Sequence, residues 1–309
     1  MDFTLTLLVA AISSGTPLLF ATLGGVLSER AGVINLGIEG MMLIGAVMAY
    51  ILSVTTGSLT LSIAAGMLAA GALGLLHAFL SVSLKANQIV AGLGITLFAT
   101  GLSSYLGKPY GGQQVPNSIP VLHLNGLDAI PALGKVFGHL NALVWVSFVA
   151  VIMIHFYLFK TPWGLHLRSV GDSPSTSDAA GIRVFRYQYA HVIAGSMLCG
   201  LAGASLILVF TPSWNDGLTS GRGWIAVALI IFARWNPVRA LLCAYLFGAF
   251  ESLGFRMQLL ENAIPPYFLK MMPYLTTIIV LMFVGWRNRN RPNGQPESLG
   301  VPYVREQRV

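Results

Sequence analysis

Apolar residues occupy this chain in runs too long for the helices of a soluble core, and short polar clusters punctuate them. A helix that crosses the hydrocarbon needs roughly 20 predominantly apolar residues, so such runs predict transmembrane helices. They fall at 4–26, 37–54, 59–84, 88–106, 140–160, 189–210, 223–235, 239–255 and 267–286, nine in all, and the seventh is short enough to be a broken or half-crossing segment. The predicted fold class is all-α: a polytopic membrane helical bundle, one domain over residues 1–309. Small residues recur at helical spacing within the runs, as in Gly66, Ala70 and Gly74, or Gly195, Cys199 and Gly203. Faces of that kind let helices approach closely where lipid supplies no hydrophobic drive for association.

The polar clusters orient the bundle. Of the 18 Lys and Arg residues, thirteen (Arg30, Lys85, Lys160, Arg168, Arg183, Arg186, Arg234, Arg239, Arg287, Arg289, Arg291, Arg305 and Arg308) collect at one set of run ends. Five (Lys108, Lys135, Arg222, Arg256 and Lys270) collect at the other. The positive-inside rule places the larger group in the cytoplasm, with the N-terminus outside and the C-terminus inside. Trp163, Trp235 and Trp286 then mark the inner interface, and Trp145, Trp214 and Trp224 the outer one. The start, Met1-Asp2, has neither a basic n-region nor a small-residue cleavage site, so the first run is expected to remain as a helix.

Three segments lie between or beyond the runs. Residues 107–139 form a Gly/Pro-rich outer loop, and 161–188 a cytoplasmic connector with helical character. Residues 287–309 form a tail, basic and then Pro/Gly-rich, expected to be poorly ordered. In the connector, Ser175 or Ser177 can cap a short helix at Asp178-Ala179-Ala180, which Gly181 ends. Two readings are open for it: a docking element for a soluble partner, or a solvated link.

Composition removes whole classes of function. The chain is 55% hydrophobic and 9% charged, with a mean hydropathy of +0.72, which no soluble domain of 309 residues could bury. Its net charge of +7 is distributed over run ends and makes no continuous stripe, so nucleic acid is not an expected partner, whereas lipid is. Cys199 and Cys243 both lie in apolar segments, as small packing residues do. No His-Glu-x-x-His, Cys-x-x-Cys or Gly-x-Ser-x-Gly occurs, and neither Gly107-Lys108 nor Gly134-Lys135 completes a P-loop. The chain is therefore expected to be non-catalytic, with no cofactor or metal of its own.

Candidate chemistry lies in polar residues at membrane depth. Glu251 sits about 18 Å along its helix from Arg239, past the midplane. It is either a buried structural carboxylate or part of a hydrophilic path. Asn35 and Glu39, four apart, are expected on one helical face near the cytoplasmic end, with Asn87 and Gln88 opening the fourth run in the same leaflet. These groups either line one inner vestibule or cap helices. Gly221-Arg222-Gly223 precedes an apolar run somewhat as Gly37 to Gly40 does, from the opposite side, as an inverted repeat requires.

LGGVLSERAGVINLGIEGMMLIGA, from Leu23, closely resembles the signature of permease subunits of the branched-chain amino acid and simple-sugar class of ABC importers. KANQIVAGLGITLFATGLSSYL, GRGWIAVALIIFARWNP, LFGAFESLGFRMQ and MMPYLTTIIVL resemble its nucleoside branch, as does the tail ESLGVPYVRE. The stretch Phe250-Glu251-Ser252 departs from the family pattern of small residues beside an acid. Members with an additional leading helix start inside; without it the N-terminus is expected outside.

The resemblance implies a bacterial inner-membrane importer subunit for nucleosides that forms half of a translocation path. Its partners would be a second, homologous permease, a cytoplasmic ATPase that holds ATP and Mg, and an extracytoplasmic solute-binding protein. The connector matches the family's coupling segment, with Gly164, Arg168, Gly171, Asp172, Asp178, Gly181 and Arg183 as coupling candidates. Alternatives are a permease for simple sugars or branched-chain amino acids, and an ion-coupled secondary transporter using Glu39 and Glu251.

Overall fold

A computed structural model describes residues 3–122, 137–138, 140–257 and 294–305, with single positions at 268, 271, 275, 278, 279 and 282. The described residues are helical and contain no strand. Ten α-helices follow in order: α1 Phe3–Arg30, α2 Ile38–Thr56, α3 Leu59–Ala78, α4 Gln88–Gly107, α5 Ala142–Lys160, α6 Pro162–Asp172, α7 Pro174–Ala179, α8 Val184–Ser205, α9 Arg222–Ala233 and α10 Pro237–Met257. Single π turns extend α3 over Phe79–Ser83 and α8 over Leu206–Phe210. The starts are capped locally: Ser58, Asn87, Asn141 and Thr161 each accept a backbone N–H of the first turn. Gly57, at φ +67°, ends α2 in the left-handed conformation.

Among the described residues, six helices are long and apolar enough to cross a membrane: Thr4–Arg30, Ile38–Thr56, Leu59–Ser83, Gln88–Tyr110, Ala142–Lys160 and Val184–Phe210. The expected run at 267–286 lies almost wholly outside the described residues. The seventh run is a 12-residue helix, α9, only about 18 Å long. The eighth, α10, has 21 residues but carries Arg239, Glu251 and Arg256.

The helices α1–α2–α3 and α8–α9–α10 follow one pattern of break, restart and packing, and are called the two repeats. α10 packs on α1 as α3 packs on α8, and α1 crosses α8 antiparallel. At that crossing a Cβ on Gly24 would strike the carbonyl of Gly195, and a Cβ on Gly195 the carbonyl of Gly24. Gly200 meets Gly66 and Gly45 in the same manner, and Gly203 meets Met42. The small-residue faces are thus backbone contacts between helices. After α1 the chain breaks over 31–37 and restarts as α2; after α8 it breaks over 211–221 and restarts as α9. The breaks begin at opposite ends of the bundle, which is the inverted arrangement suggested by Gly37–Gly40 and Gly221–Gly223.

Several expectations are corrected. α1 does not stop before Ser28 but runs to Arg30, because its charges have partners at the α9–α10 corner: Trp235 Nε1 donates to Glu29 Oε2 at 2.6 Å, and Arg30 donates to the Trp235 carbonyl. Trp235 and Trp214 are buried core residues rather than interfacial ones, and Trp214 stacks on Tyr50. The short connector helix α7 starts at Pro174, earlier than expected, because Pro favours the first helical position. Gly181 does follow it, at φ +84°. Residues 294–305 are packed against the bundle, where a loose tail was expected, because backbone groups of Gly171 and Gly32 accept their hydrogen bonds.

Candidate functional site

The two breaks meet inside the bundle. Residues 31–37 climb along α4. The Ile34 N–H donates to Gln88 Oε1 at 2.7 Å, Thr96 Oγ1 donates to the Leu36 carbonyl at 3.1 Å, and Gly40 lies against Thr96 and Ala99. From Gln88 to Ala99 is about 16 Å of helix. Irregular backbone at that depth is tolerated only where its polar groups are satisfied by protein. Here side chains do so: Gln188 Nε2 donates to the Ala31 carbonyl, His77 Nε2 to the Ile34 carbonyl, and Asn35 Oδ1 accepts from the Gly37 N–H. Asn35, His77, Gln88, Thr96 and Gln188 are all buried.

Glu39 follows this segment, in the first turn of α2, and its carboxylate closes the start of α9. Oε1 accepts from Thr219 Oγ1 at 2.5 Å and from the Gly221 N–H at 3.0 Å; Oε2 accepts from the Gly223 N–H at 2.6 Å. The first N–H groups of a helix have no partner within it, and they carry the positive end of its dipole. A carboxylate supplied by the other repeat meets both needs. The fit requires Gly223, whose Cβ would collide with Glu39. Beside it, Arg222 pairs with Glu251 of α10. Arg222 lies one α9 length, about 18 Å, from the Trp235 corner. Glu251 reaches the same level along α10, about 21 Å from its start at Pro237.

Asn35 and Glu39 do not share a helical face, because Asn35 lies in the irregular segment and α2 begins only at Ile38. Their common helix was an extrapolation of the 3.6-residue period across a glycine-rich turn. Nor is Glu39 near the Arg30 end; it stands at the depth of Arg222. Arg222 was placed at an outer run end, yet its side chain is less than a quarter exposed and engaged with Glu251. Asn87 caps α4, accepting from the Ile89 and Val90 N–H groups, and Gln88 serves Ile34. Thr219, His77 and Gln188 escaped sequence reasoning, as did the pairing of Arg222 with Glu251. Their signal was the presence of lone polar side chains in or beside apolar runs.

The connector candidates divide by exposure. Gly164 is buried where α6 turns against Tyr157 and Leu158, and Gly171 where α6 meets the Arg30 carbonyl. Arg168 lies over the Phe159 ring at 5.2 Å. Asp178 accepts from Arg305 Nε at 3.0 Å, while Asp172, Gly181 and Arg183 are exposed. At the opposite end of the bundle, a cavity of about 550 Å³ is lined by Ser104, Tyr105, Lys108, Gly111, Trp214, Asn215 and Asp216. Among the described residues, no group of three or more His, Cys, Asp or Glu side chains could hold a metal ion.

Comparison with known proteins bears on this arrangement. The family described as the permease component of the branched-chain amino acid transport system matches residues 7–281. A Haloferax volcanii protein with a provisional name, glucose ABC transporter permease protein TsgC13, is 37% identical, the match covering 99% of each chain. The nucleoside ABC transporter permease protein NupC of Lactococcus lactis is also 37% identical, over 98% of each chain. The guanosine ABC transporter permease protein NupQ of Bacillus subtilis is 34% identical, over 97% of this chain and 96% of its own. No solved structure matches the chain significantly.

Proposed function

The chain belongs to the permease-component family of branched-chain amino acid transport systems, a family of multi-pass membrane proteins, and from this we propose that it is the nucleoside-translocating subunit of an ATP-driven importer. The observation that carries the substrate class is the near full-length likeness to a nucleoside permease and a guanosine permease. A simple sugar is the second reading, favoured by the likeness to TsgC13.

In this reading the whole of 1–309 is one transmembrane domain of nine spans in the plasma membrane, with its N-terminus outside and α6–α7 and the C-terminus in the cytoplasm. It pairs with a homologous permease to enclose the path. Residues 161–188 dock on a separate ATPase, which supplies ATP and Mg, and an extracytoplasmic solute-binding protein delivers the solute to the outer end. Exposed Asp172, Gly181 and Arg183 are the docking surface. Gly164, Arg168 and Gly171 hold α6 in place beneath it. Glu39, Arg222 and Glu251 stand where the repeats meet, as the polar part of the path wall. An inverted pair of re-entrant segments suits alternating access, since each repeat can rock against the other about their contact.

The test is uptake in proteoliposomes containing the chain with its partner permease, ATPase and solute-binding protein. Labelled guanosine and uridine are expected to accumulate only with ATP, and excess glucose or leucine to leave their uptake unchanged. Glucose uptake without nucleoside uptake would replace the substrate. Uptake that persists without ATP but collapses with an uncoupler would overturn the importer itself.

A further inference from the structure

Residues 294–305 do not trail from the bundle; they cross its α6–α7 face and touch both repeats in turn. Gly294, at φ +70°, lies against Arg234 at the end of α9. Pro296 is buried and lies where a Cβ on Gly171 would touch it, at 3.3 Å. Ser298 donates twice to the Gly171 carbonyl, from its N–H at 3.1 Å and its hydroxyl at 2.5 Å. Gly300, at φ +84°, donates its N–H to the Gly32 carbonyl at 3.1 Å and abuts Ile34. Tyr303 packs on Phe185 at the start of α8, with ring centroids 5.8 Å apart, and Arg305 donates to Asp178 of α7.

The contacts form a chain. Gly171, one residue before the end of the helix nearest the proposed docking surface, packs directly on the Arg30–Gly32 backbone, and Gly32 and Ile34 lie at the start of the irregular segment that leads to Glu39, so the strap reinforces a contact that α6 already makes. Ser298 and Gly300, two residues apart, bond one to each. Close backbone bonding transmits displacement in a way that a solvated loop cannot, because packed contacts of this kind resist gradual deformation. The exposed Arg305–Asp178 pair adds little stability by itself; it keeps the far end of the segment in register with α7.

We propose that residues 294–305 are a strap that joins α6–α7 to the re-entrant segment 31–37, so that movement imposed on the connector reaches Glu39 and the start of α9. Ser298, Gly300 and Arg305 are then positioning residues for transport. The proposal rests on the permease reading, and the two are tested separately. ATP-driven uptake by the intact chain, with its partner permease, ATPase and solute-binding protein in proteoliposomes, decides the permease reading. The strap is decided by the ratio of solute imported to ATP hydrolysed. A chain ending at Asn293 is expected to assemble and hydrolyse ATP while its import per ATP falls at least tenfold; an unchanged ratio would overturn the strap.

If that chain does not assemble, a full-length variant decides instead. Asp178→Cys and Arg305→Cys, in a background of Cys199→Ala and Cys243→Ala, are joined by a short bismaleimide. Breaking the Arg305–Asp178 contact is expected to lower import per ATP, and linking the two cysteines to restore it toward the value of the intact chain; a ratio unchanged by the two substitutions would overturn the strap. Loss of import on linking would show that the segment must release, and would overturn the proposal.

Discussion

The Glu39 carboxylate accepts the backbone N–H of Gly221 at 3.0 Å, so a side chain from the first turn of α2 closes the start of α9. The contact joins the two inverted repeats at the depth where each has broken its backbone.

Replacing Glu39 by Ala is expected to orphan the donors of Thr219, Gly221 and Gly223 together. At roughly 1 kcal/mol or more for each buried donor left without an acceptor, the loss is at least about 3 kcal/mol. Glu39→Gln keeps one acceptor oxygen and should lose less. Thermal unfolding of the purified protein in detergent should rank the intact chain above Gln and Gln above Ala. Equal midpoints for Ala and the intact chain would contradict the capping role.

Arg222 and Glu251 should show strong non-additivity. Each single neutralisation, Arg222→Gln or Glu251→Gln, leaves a partly buried charge alone. Breaking a fully buried pair costs roughly 3–5 kcal/mol, and with both side chains about a fifth exposed the expected cost here is about 2 kcal/mol. The double variant removes both charges and should recover most of that loss. A double-mutant cycle on unfolding midpoints measures it, and simple additivity would count against the pair.

Glycines that look alike in the sequence should respond oppositely. Gly195→Val drives a side chain into the Gly24 carbonyl and should cost roughly 1–3 kcal/mol or more, since overpacked backbone contacts cannot relax. Gly94→Ala, with open space around its Cβ position, should be neutral or stabilising by up to about 1 kcal/mol through helix propensity. Yields of monodisperse protein for the two variants provide the comparison.

Connector variants should separate folding from coupling. Asp172→Lys changes an exposed side chain, so the cost in stability, from lost attraction to Arg30, should stay within about 1 kcal/mol while import per ATP falls several-fold. Gly171→Leu strikes the Arg30 carbonyl and should reduce folded protein instead. Coupled uptake at normal rates in the Asp172 variant would remove that residue from the docking surface.

Hydropathy located the long helices because the requirement to bury or lipidate some 20 consecutive apolar residues is local to the chain. α2 to α5 begin within about three residues of the starts read from the runs. Composition likewise excludes a soluble domain, and the Ser-Glu-Arg-Ala-Gly to Gly-Ile-Glu-Gly segment points to the permease class by its residues alone. The small-residue faces on α3 and α8 were legible too, since a helix face is defined by the chain's own 3.6-residue period.

The roles of the polar residues were decided only by tertiary structure. Nothing near Glu39 in the sequence indicates that its acceptors are used by Thr219, Gly221 and Gly223, 180 or more residues away. Arg222 resembles an interfacial arginine until α9 proves to be a half-length helix and Glu251 lies beside it. Gln88 and His77 resemble path residues or stray polar groups until residues 31–37 are seen to need hydrogen-bond partners. The tail resembles a loose end until Ser298 and Gly300 meet Gly171 and Gly32. A run of side chains reports its own affinity for lipid or water, but a polar group is satisfied by whichever donor or acceptor the fold brings to it. The bundle was therefore readable from local pattern, while its buried polar junction and its strap depend on contacts between distant parts of the chain.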